Sequence, residues 1–228
     1  MARILILEDD QNICEILQFY LRQKPEYELH FARSAEEAFD LVDQHAFDIM
    51  LLDIMLPGIN GIEFCRAVRS RTDCPIIFTS CLNDGSTIIE ALETGGDDYL
   101  VKPFEPSVLI AHIEAKLRRP GTNRDHGGEV LRVDGLELDR RLQSVTKNGK
   151  PVQLSQTEYN LLAFFMEHRG VYISFDDAFR AIWNAPSLGN YRALFVHISN
   201  LRKKIEDDPA SPTLLKTCRR TGYVFGGE

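Results

Sequence analysis

The sequence has no apolar run that approaches the roughly 18 residues needed to span a membrane. Its first apolar stretch, residues 3–7, is too short for a secretory signal, and acidic residues follow at once. It also lacks a disulfide framework and a CxxC zinc motif, because its five cysteines are odd in number and widely spaced. We therefore expect a cytoplasmic protein with reduced thiols and no membrane association.

Positive charge is scarce as well. The chain carries 26 basic and 34 acidic residues, and its net charge of -8 argues at face value against a nucleic-acid partner. The acidic excess is confined to residues 1–120, which hold 11 basic and 21 acidic residues, whereas residues 121–228 hold 15 and 13. This asymmetry coincides with a Pro/Gly/polar run, so we predict two domains, 1–119 and 129–228, joined by a linker at 120–128.

The first half alternates between two kinds of periodicity. Short apolar runs predict strands at 3–7, 28–32, 49–52, 75–79 and 99–101. Segments with helical spacing predict helices at 13–21, 34–44, 61–69, 84–94 and 106–119. Five such repeats indicate an α/β domain with a five-stranded parallel, doubly wound sheet and helices on both faces.

Polar side chains stand where these strands end. The first strand leads into Glu8, Asp9 and Asp10, the third into Asp53, the fourth into Ser80 and the fifth into Lys102. The carboxyl ends of parallel strands share one edge, where ligands bind. Carboxylates gathered there would repel one another without a cation, and hard oxygen ligands suit Mg²⁺. Acids scattered on solvated loops would explain any single one of these residues, but not groups at four strand ends.

Residues 1–119 resemble the receiver domain of bacterial two-component response regulators. The matching motifs are Ile4–Asp10, Leu51–Gly58, Gly95–Tyr99 and Lys102–Phe104. The resemblance implies that Asp53 accepts a phosphoryl group from a sensor histidine kinase. It also implies that Mg²⁺ is held by Glu8, Asp9, Asp53 and the Met55 backbone carbonyl, with Asp10 peripheral.

The same resemblance assigns three further residues to the phosphoryl group and its signal. Lys102 would pair with the phosphoryl oxygens, and its peptide bond to Pro103 is expected to be cis. Ser80 would supply the hydroxyl that moves onto the phosphoryl group, and Tyr99 the aromatic ring that rotates inward. A purely structural role in the core is the alternative for Tyr99.

The second half has shorter strands and ends in a hairpin. Alternating segments occupy 131–138 and 143–146, and Asn148-Gly149 predicts a tight turn before 151–154. Ser155 and Glu158 have capping-box spacing for a helix, and further helices are predicted at 175–183 and 190–206. A basic helix followed by an arginine-bearing hairpin over 214–225 favours an α+β winged helix-turn-helix domain over a merely solvated charged face.

Residues 129–226 resemble the winged-helix effector domain of the OmpR/PhoB family. The motifs are Leu154–Leu162, Val196–Lys204 and Thr217–Tyr223. By this resemblance the partners are double-stranded promoter DNA and RNA polymerase. The implied DNA contacts fall on backbone phosphates for Arg192, His197, Ser199, Arg202 and Thr217, on bases for Val196 and Asn200, and on the groove beside the wing for Arg219.

The sequence departs from the family where receivers form homodimers, on the face of helix 84–94, strand 99–101 and helix 106–119. Ile88 and Val108 stand where the family has an ion pair, and His112 and Glu114 where it has the basic partners of Asp97 and Asp98. We therefore predict a dimer in which Ile88 meets Val108, with weak dependence on salt because surface ion pairs contribute only about 0–1 kcal/mol.

Three functions are compatible with these motifs. The preferred one is a phosphorylation-switched transcription regulator that is not a metabolic enzyme. A regulator that binds DNA independently of phosphorylation stays open because the dimer face is altered. An aspartyl-phosphate phosphatase is disfavoured, since Met55 stands where a second acid is needed and the basic second half would have no role.

Overall fold

The computed structural model describes residues 1–117, 130–183 and 191–226. The chain divides into two compact units, and the first comprises Met1–Leu117. The predicted linker at 120–128 lies outside the described residues. Within those residues, no helix is long and apolar enough to cross a membrane.

The first unit is a parallel sheet of five strands in the order β2-β1-β3-β4-β5. The strands are β1 (Ala2–Leu7), β2 (Tyr27–Ala32), β3 (Ile49–Asp53), β4 (Ile76–Ser80) and β5 (Asp98–Val101). The helices between and after them are α1 (Gln11–Leu21), α2 (Ala35–Gln44), α3 (Gly61–Val68), α4 (Gly85–Glu93) and α5 (Pro106–Leu117). The predicted α/β architecture is confirmed.

Alternation along the buried strands builds a core on each face of this sheet. In β1, Leu5 and Leu7 face the core shared with α2, α3 and α4, whereas Ile4 and Ile6 face the core shared with α1 and α5. Side chains of period two point to opposite faces, so a strand covered on both sides must be apolar throughout. This arrangement leaves the ends of the strands as the place where polar groups meet.

Side-chain caps fix where several helices begin. The Ser34 hydroxyl accepts from the Glu37 amide at the start of α2, and Asp84 accepts from Thr87 at the start of α4. At the start of α3, Asn60 and Glu63 form a complete capping box. Each cap satisfies amide groups that have no partner within the helix.

The second unit begins with an antiparallel sheet of four strands, followed by three helices and a three-stranded sheet in the order β10-β12-β11. Its strands are β6 (Val130–Val133), β7 (Leu136–Asp139), β8 (Ser144–Lys147), β9 (Lys150–Val152), β10 (Ile173–Ser174), β11 (Leu215–Cys218) and β12 (Gly222–Phe225). Its helices are α6 (Gln156–Glu167), α7 (Phe175–Trp183) and α8 (Arg192–Ile205). The predicted winged-helix architecture is confirmed.

Two local features of this unit went beyond the sequence prediction. The alternating segment 131–138 is two strands, because Asp134 and Gly135 both have positive φ and form a turn like the predicted one at Asn148-Gly149. Such two-residue turns match the twist of a hairpin. The short β10 pairs with β12, although its two residues carry too little pattern to be recognised alone.

A buried carboxylate joins α8 to the strand that follows it. Glu206, just past the end of α8, accepts hydrogen bonds from the amides of Thr213, Leu214 and Leu215 at 2.8–3.1 Å. Its side chain lies almost fully inside the unit. Because several backbone donors converge on one acceptor, Glu206 sets where β11 begins relative to α8.

The predicted dimer face needs a correction. Ile88, Asp97, Asp98 and His112 are all buried within the first unit, so a second copy of the chain cannot reach them in this structure. The ionic partners of Asp97, Asp98 and His112 lie in the same unit. Of the five residues predicted for this face, Val108 is the exposed one.

Both aspartates are satisfied internally. Asp97 accepts from Arg69 at 2.9 Å and from the Ile76 amide at 3.0 Å. The Asp98 carboxylate lies 2.7 Å from His112 Nδ1 and 3.7 Å from Lys116 Nζ. Burial alone would raise the pKa of Asp98, but Lys116 and His112 hold the pKa below its ordinary value of 3.8.

We expect Asp98→Asn to lower the free energy of unfolding at neutral pH by about 3–5 kcal/mol, since it removes the negative member of the buried ion pairs with His112 and Lys116. A depressed pKa in the folded state contributes stability above the unfolded pKa that is lost as the pH falls through the folded pKa. The gap between wild type and variant should therefore narrow below about pH 4. Denaturant titrations followed by circular dichroism across pH measure this gap.

Asp43→Asn is the matched control, because Asp43 pairs with Arg71 on the surface of the same unit at 2.8 Å. It should cost at most about 1 kcal/mol at any pH. An Asp98 variant that behaves like this control would contradict the internal pairing.

We expect Glu206→Ala to destabilise the second unit by about 1–3 kcal/mol or more, because it leaves the buried amides of Leu214 and Leu215 without their acceptor. Trp183 is the only tryptophan of the chain and is fully buried in this unit, so its fluorescence follows unfolding there. Asp207→Ala removes the same charge one residue on, where the side chain is 95% exposed. Equal losses in the two variants would show that charge, not the amide contacts, is responsible.

Candidate phosphoryl site and nucleic-acid interface

Three carboxylates converge at the carboxyl ends of β1 and β3. Glu8 and Asp9 follow β1 and Asp53 ends β3, and ligand oxygens of all three lie within 4.8 Å of one another. Parallel pairing of β1 with β3 brings these strand ends side by side. Among the described residues this is the one group of acidic, histidine or cysteine side chains close enough to hold a metal ion together.

Lys102, just past β5, joins two of these carboxylates. Its ammonium donates to Glu8 Oε2 and to Asp53 Oδ2, each at 2.6 Å. Burial would lower the pKa of Lys102, but the bonds to Asp53 and Glu8 raise it. Burial raises the pKa of Glu8 to about 7, against the opposing pull of Lys102. The Lys102-Pro103 bond is cis, as the sequence predicted.

The loop after β3 is shaped around Asp53. The Met55 amide donates to Asp53 Oδ1 at 2.8 Å. A Cβ on Gly61 would collide with the Asp53 carbonyl oxygen, so only glycine permits this close approach. Gly61 was not predicted as a site residue, because a single glycine at the start of a helix carries no distinctive pattern in the sequence. Asp10 lies apart from the carboxylate group and caps α1 through the Asn12 and Ile13 amides, in agreement with its predicted peripheral place.

Ser80 and Tyr99 both bond to Leu82, in the segment that links β4 to α4. Ser80 is fully buried at the end of β4, and its hydroxyl accepts from the Leu82 amide at 3.2 Å. The half-buried Tyr99 donates its hydroxyl to the Leu82 carbonyl at 2.7 Å. The two predicted switch residues therefore hold one residue of the same segment from two sides.

The second unit presents basic and polar side chains on α8 and on the hairpin of β11 and β12. Of the predicted DNA contacts, Arg192, Ser199, Thr217 and Arg219 are exposed and Asn200 is half-buried. Arg219 and Arg220 form the hairpin turn with φ of 52° and 57°. Their side chains are therefore carried outward on a tight turn.

Two predicted DNA contacts on α8 are wrong for this structure. Val196 is 9% exposed and His197 is 2% exposed, so neither side chain is presented to a partner. The His197 ring lies 5.9 Å from the ring of Trp183 in the core. A motif shared along a helix does not by itself say which of two adjacent residues faces outward.

Arg202 bonds to the hairpin of β11 and β12, which we call the wing, although the family resemblance predicted a phosphate contact for it. Its guanidinium donates to the Leu215 carbonyl at 2.6 and 3.0 Å and to the Thr217 hydroxyl at 2.9 Å. It also lies 5.7 Å from the centre of the Tyr223 ring. Arg202 thus bonds the wing to α8, and Glu206 bonds the residues that lead into β11 to the end of the same helix.

Comparison with known families matches both units. Residues 4–114 match the response regulator receiver domain, and residues 149–225 match the C-terminal domain of transcriptional regulatory proteins. The chain is 35% identical to the sensory transduction protein RegX3 of Mycolicibacterium smegmatis, with all of both chains covered. It is 37% identical to the transcriptional regulatory protein AfsQ1 of Streptomyces coelicolor, covering 98% of this chain and 97% of the relative.

A solved structure extends the similarity to the whole fold. The response regulator DrrB of Thermotoga maritima, an OmpR/PhoB homologue, is 29% identical over all of both chains, with a TM-score of 0.53. These relatives give no support to a regulator that works independently of phosphorylation. The chain belongs to the OmpR/PhoB family of two-component response regulators, with a receiver domain followed by a DNA-binding transcriptional regulatory domain.

Proposed function

We propose that Asp53 accepts a phosphoryl group from the phosphohistidine of a sensor kinase and that this modification controls transcription. The chain is then a regulator, without a metabolic substrate of its own. The observation that carries the proposal is the ammonium of Lys102 held between Glu8 and Asp53 at the end of the sheet. A cation placed beside a carboxylate is suited to neutralise the oxygens of a phosphoryl group that arrives there.

In the proposed transfer, a carboxylate oxygen of Asp53 attacks the phosphorus atom. The bond from phosphorus to the histidine nitrogen breaks, and the imidazole leaves with the electron pair. The product on Asp53 is a mixed anhydride of carboxylic and phosphoric acid. Lys102 would then pair with the phosphoryl oxygens, and the Ser80 hydroxyl would turn from Leu82 to the same group.

The donor set fits Mg²⁺. Glu8 Oε1 is buried and has no hydrogen-bond partner among the described residues, and the nearby ligands are all oxygens. Glu8, Asp9, Asp53 and the Met55 carbonyl would hold the ion. When bound, the ion supplies positive charge against the phosphoryl oxygens. Asp9, which is exposed, leaves that side of the group open to solvent and to a phosphodonor.

The second domain is proposed to read double-stranded promoter DNA. Support comes from the exposed polar face of α8, from the outward turn at Arg219 and Arg220, and from the anchoring of the wing by Arg202. Phosphate contacts would position the domain and base contacts would select the site. RNA polymerase is the further partner proposed for a regulator bound at a promoter.

Phosphorylation is proposed to favour a homodimer through α4, β5 and α5. Internal pairing removes Asp97 and Asp98 from this face, but each of the three elements exposes an apolar side chain. They are Ile89, Val101 and Val108, which are 42%, 39% and 43% exposed. The proposed dimer contact is therefore formed by Ile89, Val101 and Val108, and the buried Ile88 takes no part in it.

Intact-mass measurement with acetyl phosphate and Mg²⁺ tests the phosphoryl site. We expect the wild type to gain one phosphoryl group and Asp53→Ala to gain none, because the attacking carboxylate is gone. Chelation of Mg²⁺ should abolish the adduct. Asp10→Asn is the control, since asparagine preserves the cap of α1 and Asp10 is outside the carboxylate group.

The same variants extend the test to DNA. Selection from random-sequence duplexes should enrich one motif with the wild type and with Asp10→Asn when acetyl phosphate is present, and enrich it far less with Asp53→Ala. An adduct that survives in Asp53→Ala would remove Asp53 from its role. Equal enrichment by all three proteins would refute control by phosphorylation.

Sedimentation of the full chain with beryllofluoride and Mg²⁺ tests the dimer. We expect its dissociation constant to change less than about threefold up to roughly 1 M salt, where charges are screened beyond about 3 Å. Val108→Glu should abolish the dimer, whereas Ile16→Glu, on the exposed side of α1, should preserve it. Steep weakening with salt would indicate ion pairs instead.

A further inference from the structure

One stripe of α8 is turned outward. Arg192, Phe195, Ser199 and Lys203 are all exposed, and their spacing of three and four residues puts them on one side of the helix. The opposite side is formed by Leu194, Ile198, Leu201 and Ile205, which are buried in the core. The outward stripe is therefore basic and polar, except at Phe195.

Phe195 is held firmly from one side and open on the other. Its ring meets Phe175 edge to face, with centroids 5.0 Å apart and planes at 75°, and lies 6.0 Å from the Tyr191 ring. Even so, 43% of the residue remains accessible. A ring packed in this way presents a fixed apolar surface and loses little side-chain freedom when it is covered by a partner.

Exposure of one aromatic residue does not by itself indicate a partner, because single apolar residues are common on protein surfaces. The position is what distinguishes Phe195. It stands between Arg192 and Ser199 on the stripe that would enter the major groove, where basic neighbours are suited to flanking phosphates. In the proposed binding mode, a residue at this place faces the edges of base pairs.

We propose that Phe195 determines DNA specificity by contacting the 5-methyl group of a thymine in the major groove. This inference rests on the proposed reading of DNA by α8. The thymine methyl is the apolar group that base edges display in that groove, and phenylalanine is among the side chains suited to it. A phenyl ring against the polar edge of another base would desolvate hydrogen-bonding groups without replacing their partners.

Val196, which the family resemblance placed on the bases, cannot take this role in the structure. It is 9% exposed, and its neighbour Phe195 is the apolar residue that reaches the outward stripe. The apolar contact is thus displaced by one residue along α8, which rotates it by about 100° around the helix axis.

Deoxyuridine scanning tests the proposal. The motif selected with the full chain, acetyl phosphate and Mg²⁺ is resynthesised with each thymine replaced in turn by deoxyuridine, which removes only the methyl group. At one thymine per half-site, we expect wild-type affinity to fall about fourfold, the effect of one buried methyl-sized group. Phe195→Ala should bind less tightly overall and show no further loss at that position.

Two further variants distinguish a base contact by Phe195 from a structural role of its ring and from a contact by Val196. Phe195→Leu retains an apolar side chain and should retain a penalty for deoxyuridine at the same position, which a merely structural role for the ring would not explain. Val196→Ala should leave the penalty unchanged. Trp183 fluorescence verifies that each variant is folded.

The outcomes separate this inference from the function on which it rests. A selection that enriches no motif would refute DNA reading itself. An enriched motif with no deoxyuridine penalty at any thymine would overturn the role of Phe195 alone. A penalty that persists in Phe195→Ala and vanishes in Val196→Ala would return the contact to Val196 and also overturn the proposal.

Discussion

The interaction on which the receiver domain depends is the ammonium of Lys102 between the carboxylates of Glu8 and Asp53. It ties together the ends of the central strand β3 and of β1 and β5, which lie on opposite sides of β3 in the sheet. Without it, carboxylates within 4.8 Å of one another would repel strongly in a half-buried site. The raised pKa of Glu8, to about 7, reflects how costly this burial of charge is.

One lysine does not balance three carboxylates. The group of Glu8, Asp9, Asp53 and Lys102 has a formal charge of -2 when all four are ionised, which is the charge that a divalent cation would offset. The same excess of negative charge links the proposed phosphoryl group to residues outside the carboxylate group. Added negative charge on Asp53 would compete for the hydrogen bonds of Lys102 and Ser80. Because Ser80 and Tyr99 both bond to Leu82, a change at Ser80 would reach the segment between β4 and α4.

In the DNA-binding domain, two side chains, Arg202 and Glu206, bond α8 to the segment that leads into β11 and to β11 itself. Arg202 donates to the Leu215 carbonyl and the Thr217 hydroxyl of β11. Glu206 accepts from the amides of Thr213, Leu214 and Leu215, where β11 begins. Both side chains belong to α8 or its immediate end, so the helix is hydrogen-bonded to the hairpin strand β11 at two places. Charged residues of the sequence therefore serve the scaffold here, which frees other residues to face DNA.

Much of the fold and of the phosphoryl site follows from the sequence. Strand ends carry Glu8, Asp53, Ser80 and Lys102 because apolar alternation has to stop where a strand leaves the core. Turn and cap residues such as Asn148-Gly149 and Ser155 act locally, so their effect is readable from neighbours alone. The alternating run at 131–138 was harder to divide, since its turn at Asp134-Gly135 sits within an unbroken strand pattern.

Which side of an element faces outward was decided by tertiary packing. The family resemblance put Val196 and His197 on the DNA side, but in the structure both are buried and Phe195 is exposed. Asp98 and His112 likewise meet each other inside the receiver rather than across a dimer. The sequence by itself determined the family and the polar groups at the carboxyl ends of the receiver strands, because both can be read from motifs of residues that are adjacent in the chain. Only the tertiary structure decided the partners of long charged side chains, because these depend on helices and strands far apart in the chain.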